Sequence, residues 1–468
     1  MKFLTSHIAL AWATVLFIVP LPFLATLAAG YPALYADTLF GAQIGVVAYT
    51  WMLAAVYLAC RPRWVDRTVG LPHMYMIHGV LAILAIVLAF VHQSLLPGAG
   101  ALISLTGHTG LYLFIAVAVW SLVFMAGWLT SRVAWLAKVK RALERLFRHE
   151  MSVWLHRLNL VAIALIVIHV HVIDYIASNR PFLFLFDAAT IAVFAYYVWS
   201  SVSRRAFALR GRVASVRQIA PRVTELRVAI EDSGRAAASG TRSSIRWNPG
   251  DFAFIAFPGV RGMHELHPFS LTNSYAGDGR ETSRQAPVMS FAIRADGDFT
   301  AKIASLKPGE RVRVVPPYGR YAEFIREHDA QSPAQSPTPL VLIAGGIGVT
   351  PLIGVLTAYA GAAGPRTSTG ATAATTASTP RIVDFLYTAR SERDFIYRDE
   401  LERFGASSPN TRVRLSTGRA DEALIAPMIR PGAIYLIAGP MPMMDAVREI
   451  LAKHGVASTD IYYEPFAM

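Results

Sequence analysis

Up to about residue 202, apolar positions run in long stretches separated by short polar segments, and six stretches approach the 20 or so residues an α-helix needs to cross a bilayer: roughly 8–29, 41–60, 73–95, 108–130, 153–173 and 183–201. Beyond them the pattern changes. Arg212-Val-Ala-Ser-Val-Arg-Gln-Ile and Val223-Thr-Glu-Leu-Arg-Val-Ala-Ile230 alternate, which predicts antiparallel strands and a β-barrel. Leu340-Val-Leu-Ile-Ala-Gly-Gly-Ile-Gly-Val-Thr-Pro351 predicts a buried strand that enters a glycine turn and then a helix. Residues 328–339 and 361–380 have no apolar period and read as a linker and a flexible surface insertion.

Charge sharpens the division. The chain has 468 residues, 54% of them hydrophobic, and a net charge of +13, with mean hydropathy +0.40 and pI about 9.9. A basic protein of this size could bind nucleic acid, but its cations gather between apolar stretches, as membrane-topology signals do. Arg61, Arg63 and Arg67 lie in one connection, Arg132, Lys138, Lys140, Arg141, Arg145 and Arg148 in another, and Arg204, Arg205, Arg210 and Arg212 at the exit. The intervening connections hold only Arg180. Both termini are therefore expected on the cytoplasmic side of an inner membrane, with membrane lipid as a partner and no nucleic acid. Lys2, the first apolar run and the small residues of Ala25–Ala29 also fit a signal peptide, but the run is long for one and five further stretches follow, so an uncleaved helix is expected. Cys60 is the single cysteine, which excludes a disulfide framework or a cysteine-rich metal site.

Ionisable groups inside a membrane point to function by default, and here they are histidines. His78 and His92 are fourteen positions apart in the third stretch, about 21 Å of rise and about 40° of rotation on an ideal helix. They share one face near opposite membrane surfaces. In the fifth stretch His156 lies thirteen positions before His169 and fifteen before His171, about 140° and about 60° away in turn. Ideal geometry favours His171, and both assignments stand. A lone intramembrane histidine often just bonds a neighbouring helix, whereas matched pairs at two depths suit two stacked haems. Bis-imidazole ligation leaves no open iron position and suits electron passage. His7, His73 and His108 sit at stretch ends and read as interfacial.

Downstream, a glycine turn between strand and helix lets backbone N–H groups approach a pyrophosphate. Three further segments accompany it: His267-Pro-Phe-Ser-Leu-Thr272, Ile293-Arg-Ala-Asp-Gly-Asp-Phe-Thr300 and Leu436-Ile-Ala-Gly-Pro440. With these in order, the region from about 208 onward resembles the ferredoxin–NADP⁺ reductase family, and the chain as a whole resembles the ferric reductase and NADPH oxidase superfamily. The resemblance implies a six-helix transmembrane di-haem bundle over 1–205, an antiparallel β-barrel FAD domain over 208–327 and an α/β NAD(P)-binding domain over 338–468.

Carried onto this sequence, the resemblance implies that His267, Pro268, Phe269, Ser270 and Thr272 hold FAD, with Phe269 beside the isoalloxazine and Ser270 within reach of flavin N5. Arg294 resembles a partner for FAD phosphate, and Gly297, Asp298, Phe299 and Thr300 resemble the second FAD segment. Gly345, Gly346, Gly348, Thr350 and Pro351 match the nicotinamide-nucleotide turn. Arg390 and Ser391 follow the next strand, where an arginine and a hydroxyl suit a 2′-phosphate, so NADPH is preferred and NADH stays possible; Arg393 is placed to assist. Gly439 and Pro440 match a turn near the nicotinamide, and Ala438 stands where relatives commonly have cysteine. Phe466, in Tyr463-Glu464-Pro465-Phe466, resembles the terminal aromatic that shields the flavin.

The expected activity is transmembrane electron transfer from cytoplasmic NADPH through FAD and two b-type haems to an outer acceptor. The His156–His169 spacing resembles that of NADPH oxidases and favours oxygen; a ferric chelate or a periplasmic protein are the alternatives. A transporter or sensor with a nucleotide-binding domain would leave the histidine pairs and the flavin segment unexplained.

Overall fold

A computed structural model describes residues 3–96, 100–124, 149–206, 208–231, 247–275, 287–331, 337–360 and 381–464. It divides into two compact units, with the boundary between Ser203 and Arg204.

The first unit is helical. Its elements are α1 (Phe3–Ala13), α2 (Leu21–Ala29), α3 (Leu39–Ala59), α4 (Arg63–Val69), α5 (Leu71–Leu95), α6 (Ala101–Phe124), α7 (His149–His156), α8 (Leu158–His171), α9 (Asp174–Ala177) and α10 (Arg180–Ala206). Six segments are long and apolar enough to cross a membrane: Ile8–Ala29, Ala33–Ala59, Leu71–Leu95, Ala101–Leu122, Trp154–His171 and Arg180–Val202. The fourth begins seven residues before its expected start, because Gly100 opens the helix and no proline interrupts it. Two segments are not continuous α-helices. A π-turn at Thr14–Ile18 precedes Pro20 in the first, and Arg157 (φ −69°, ψ −14°) separates α7 from α8 in the fifth. Phe23, Leu27, Tyr49, Leu53, Ala85, Phe114, Ile163, Phe182 and Phe186 form the core, while Phe17, Phe40, Phe90 and Phe184 point outward. The basic connection around Lys138–Arg148 lies outside the described residues.

The second unit opens with a six-stranded antiparallel sheet. Its strands are β1 (Leu209–Ala220), β2 (Val223–Glu231), β3 (Phe252–Ala256), β4 (His267–Ser270), β5 (Val288–Arg294) and β6 (Arg311–Tyr318), in the order β4-β3-β6-β1-β2-β5. The alternation in β2 buries Leu226, Val228 and Ile230 against Met289, Phe291 and Ile293 of β5. The sheet is not closed as a barrel. Strand β4 is four residues long, and its edge meets β5 through the single bridge Leu271–Phe291. Helix α11 (Asp298–Lys302) follows β5, and α12 (Tyr321–Gln331) follows β6. The linker expected at 328–339 is shorter than its composition suggested, because Phe324 and Ile325 are buried and hold α12 helical to Gln331.

A five-stranded parallel sheet completes the unit. It comprises β7 (Leu340–Gly345), β8 (Val383–Ala389), β9 (Thr411–Thr417), β10 (Ile434–Ala438) and β11 (Ile461–Tyr463), in the order β11-β10-β7-β8-β9. Helices α13 (Val349–Tyr359), α14 (Arg398–Ser407), α15 (Glu422–Ile425) and α16 (Met441–Lys453) accompany it. Strands β7, β8 and β10 are buried throughout, which is why β7 and β10 read as unbroken apolar runs; β8 also buries Asp384, paired with Arg412 and Arg430. The two sheets pack together: the Tyr321 hydroxyl donates to the Ile437 carbonyl at 3.2 Å, and Tyr397 reaches from the nucleotide sheet to Glu225 of β2 at 3.0 Å. Burial raises the Tyr397 and Tyr321 hydroxyl pKa values well above the ordinary phenol range. Residues 361–380 and Phe466 lie outside the described residues.

Candidate functional site

In the helical unit the structure brings four histidines together as two pairs. The His78 and His156 ring centres are 6.0 Å apart with planes at 57°, and those of His92 and His169 are 6.3 Å apart at 82°. Two imidazole–metal bonds of about 2.0 Å, plus about 1.1 Å from each nitrogen to its ring centre, would put ring centres about 6 Å apart. Both pairs therefore have the spacing of two imidazoles sharing one iron.

The ring nitrogens are sorted as ligation requires. Three Nδ1–H groups donate to backbone carbonyls: His78 to Ala55 at 2.8 Å, His92 to Gly41 at 2.8 Å and His169 to Ile103 at 3.0 Å. His156 Nδ1 lies 2.9 Å from Ser121 Oγ. Ser121 donates its own proton to Val117 O at 2.7 Å, so its oxygen accepts from the imidazole. With every Nδ1 a donor, each Nε2 keeps a lone pair, and an outer hydrogen bond of this kind fixes tautomer and ring orientation in metal-ligating histidines. The α5 histidines are thus braced by α3, and those of α7 and α8 by α6. Two glycines make room: a Cβ at Gly45 would lie 2.6 Å from His92 Nδ1, and one at Gly107 would lie 3.0 Å from His169 Cε1.

His171 stands apart from both pairs. Its Nδ1–H bonds Val167 O at 2.8 Å, Nε2 faces Asp187 Oδ2 at 3.4 Å, and its ring lies edge-on to Phe186. Ideal helix phase favoured His171, but the break at Arg157 alters the phase. Around it Arg157 N–H donates to Trp154 O at 3.1 Å and Leu160 N–H to Arg157 O at 2.9 Å, both i→i−3 bonds; each 3₁₀ step turns the chain about 20° further than an α step, so about three of them bring His169 nearer than His171 to the His156 face. Among the described residues no three His, Cys, Asp or Glu side chains converge.

In the antiparallel sheet, His267, Pro268, Phe269 and Ser270 form β4, paired with β3 and half-buried. Phe299 packs against His267 at 4.0 Å between ring centres and stacks on Phe269 at 6.1 Å, so the two expected flavin segments meet. Thr272 Oγ1 donates to Ser290 O at 3.2 Å and holds the strand end against β5. Arg294, half-exposed, pairs with Asp296 at 2.9 Å. The Thr300 hydroxyl accepts from the Asp296 and Gly297 N–H groups at 2.9 Å each, which caps the short α11; Asp298 is exposed in its first turn.

The nucleotide turn is built from close backbone approach. Gly346 takes φ +55°, open to glycine without strain. A Cβ on Gly348 would overlap the Ala438 carbonyl and come within 2.6 Å of Gly439 N, while one on Gly345 would strike the Met443 sulfur. The turns after β7 and β10, including Gly439 and Pro440, therefore face each other across the carboxyl ends of the strands, where open α/β sheets bind ligands. Thr350 donates to Ile347 O at 3.0 Å and Pro351 is buried in the first turn of α13, which packs beside the Leu271 and Thr272 backbone. Arg390 is exposed at the end of β8, and Ser391 is half-buried with its hydroxyl donated to Asp394 at 2.8 Å.

Sequence reasoning missed Ser121, Gly45 and Gly107, whose signal was a small or hydroxylated residue within an apolar stretch, and Tyr397, which gave none. It also missed the buried Glu464, which accepts from the Arg320 N–H and the Tyr462 hydroxyl.

Residues 342–449 match the Oxidoreductase NAD-binding domain family. The chain is 24% identical over 278 residues to the propane 2-monooxygenase reductase component of Rhodococcus jostii, covering 55% of this chain and 63% of that protein. It is 25% identical over 244 residues to the toluate 1,2-dioxygenase electron transfer component of Pseudomonas putida, covering 49% and 61%. It is 28% identical over 178 residues to a flavohemoprotein of Rhodopirellula baltica, covering 34% and 38%. The chain thus spans less than two thirds of each relative. Among solved structures, the flavohemoglobin from Malassezia yamatoensis aligns over 99% of both chains at 16% identity with a TM-score of 0.45. The second unit thus contains an oxidoreductase NAD-binding domain and is similar to reductase and electron transfer components. The helical unit lies outside the family match.

Proposed function

We propose that this chain carries electrons across a membrane, from cytoplasmic NADPH through FAD in the reductase module to two b-type haems in a ferric reductase-like helical bundle, and on to an outer acceptor. FAD, when bound, takes a hydride and releases electrons singly, and haems pass them one at a time. The observation that carries the reading is the pair of imidazole pairs, 6.0 and 6.3 Å between ring centres, with all four Nδ1 atoms hydrogen-bonded.

Each residue then has a task. His78 with His156, and His92 with His169, would each hold one haem iron through two imidazoles and leave it no position for substrate. Phe269 and Ser270 would border the flavin ring, with Ser270 as the hydrogen-bonding group at its reactive edge. Arg294 and the 297–300 segment would meet the FAD phosphates. The facing glycine turns would admit the nicotinamide nucleotide pyrophosphate by backbone N–H groups, and Arg390 would meet the 2′-phosphate of NADPH, with NADH the alternative nucleotide. Oxygen is the favoured acceptor, because pairing His92 with His169 retains the thirteen-residue spacing from His156; a ferric chelate or a periplasmic protein are the other acceptors.

The test is an anaerobic visible spectrum of purified, FAD-supplemented protein before and after NADPH, then in air. The reading expects b-type haem bands that NADPH reduces and air rapidly reoxidises, with superoxide formed. Absence of haem, or haem that NADPH leaves oxidised, would overturn it.

A further inference from the structure

The segment that leaves β8 is tied down along its length. Between Arg390 and Tyr397 the Ser391 hydroxyl donates to Asp394 at 2.8 Å, the Tyr387 hydroxyl accepts from the Ile396 N–H at 3.3 Å, and the Phe395 ring lies edge-on to Tyr387 at 5.0 Å. The segment ends at Tyr397, whose backbone is left-handed (φ 59°, ψ 25°) immediately before α14. For a bulky residue that conformation is an outlier, which persists only where surrounding contacts over-determine it. Glycine or asparagine would adopt it more readily. What the tyrosine adds is a side chain that reaches the other sheet.

Three polar side chains meet at its tip. The Tyr397 hydroxyl donates to Glu225 Oε1 of β2 at 3.0 Å and lies within hydrogen-bonding reach of the Thr272 hydroxyl. Thr272 follows β4 and is itself bonded to the Ser290 carbonyl of β5 at 3.2 Å. Glu225 is held in turn by Arg217, 3.1 Å from its other oxygen. One side chain therefore joins the segment that begins at Arg390 to the strand end that carries His267–Thr272. We infer that, given the nucleotide and flavin sites proposed above, Tyr397 is a positioning residue for hydride transfer, setting the nucleotide segment against the flavin strand through Thr272 and Glu225. In that step the nicotinamide C4–H bond breaks and its hydrogen, with both electrons, forms a bond to flavin N5, which oxidises NADPH to NADP⁺ and reduces FAD to FADH⁻. Reacting atoms must stand about 3–3.5 Å apart, and a misplacement of about 1 Å costs about 100-fold in rate. Arg390 and the glycine turns, not Tyr397, would contact the nucleotide, so the effect belongs to the rate constant and not to affinity.

The test is stopped-flow reduction of the flavin in the full chain at varied NADPH concentration. Tyr397→Phe should lower the limiting rate constant about tenfold, while the NADPH concentration that gives half of it moves by less than about twofold. Glu225→Ala should do the same, and the double variant should lose no more than either alone, because both break one contact. Glu225→Gln keeps an acceptor for the phenol and should recover most of the rate. Amide hydrogen exchange gives a readout independent of turnover: NADP⁺ should slow exchange over 268–275 in wild-type protein, and that protection should largely disappear in Tyr397→Phe. A wild-type rate constant in Tyr397→Phe, a loss confined to affinity, or an equal fall in Tyr321→Phe, which removes another hydrogen bond between the two sheets, overturns the inference. Wild-type flavin that NADPH and NADH both leave oxidised would instead overturn the nucleotide and flavin sites themselves.

Discussion

The two halves of the molecule build their sites from opposite materials. In the helical unit side-chain identity does the work: four imidazoles stand in pairs among apolar residues, each oriented by one hydrogen bond to a neighbouring helix. In the reductase unit the backbone does it, because the glycine turns after β7 and β10 press so closely together that a single methyl group would not fit at Gly348. Where water and polar groups are scarce a lone polar side chain is costly and so carries meaning; where the backbone must lie against a nucleotide, the absence of a side chain carries it.

The largest effects are expected at the imidazoles. His92→Ala or His169→Ala should halve the haem content from two per chain to one, while His171→Ala leaves it unchanged; a pyridine haemochrome assay reads this, and haem loss in the His171 variant alone would reverse the pairing. Ser121→Ala keeps every ligand but removes the oxygen that orients His156. It should lower inner-haem retention by about 10–100-fold, the usual scale for an outer hydrogen-bond partner of a metal ligand. Gly348→Ala should leave haem untouched and weaken NADPH-driven reduction by about 1–3 kcal/mol in kcat/KM, the scale of an overpacked site. Gly345→Ala should cost less, because its clash is with the flexible Met443 side chain. An equal loss of haem in Gly348→Ala would show that the two sites are not separable.

Smaller effects probe the reductase unit alone. Tyr397→Phe removes the hydrogen bond to Glu225 at 3.0 Å and should cost about 1 kcal/mol in urea unfolding, with the haem spectrum unmoved. Glu422 is held below its ordinary carboxylate pKa, first by its hydrogen bond to Lys453 and then by His454. Its folded pKa is depressed, so its contribution is complete above the unfolded value of 4.5 and disappears as pH falls through the lowered one. Glu422→Gln should therefore lower the unfolding midpoint slightly at pH 7 and not at all in strong acid.

Much of this was legible in the residues. Apolar length revealed the six helices, because a helix long and apolar enough to cross a membrane is recognised by composition alone, and unbroken apolar runs revealed β7 and β10. The His78–His92 face followed from helix phase. The choice of His169 over His171 did not, since it depends on a local break at Arg157 whose signal is no stronger than a charged residue beside a ligand. Sheet closure was misjudged: alternation predicts strands, but whether their edges join depends on the length of β4. Ser121 and Tyr397 escaped notice because each acts through a partner far away in sequence.

The most direct measurement places the protein in sealed liposomes with cytochrome c inside and adds NADPH outside to the population whose reductase unit faces outward. The enclosed cytochrome c should be reduced at a rate abolished by His92→Ala, with flavin reduction unaffected. Flavin reduced by NADPH while the enclosed cytochrome c stays oxidised, under anaerobic as well as aerobic conditions, would contradict it.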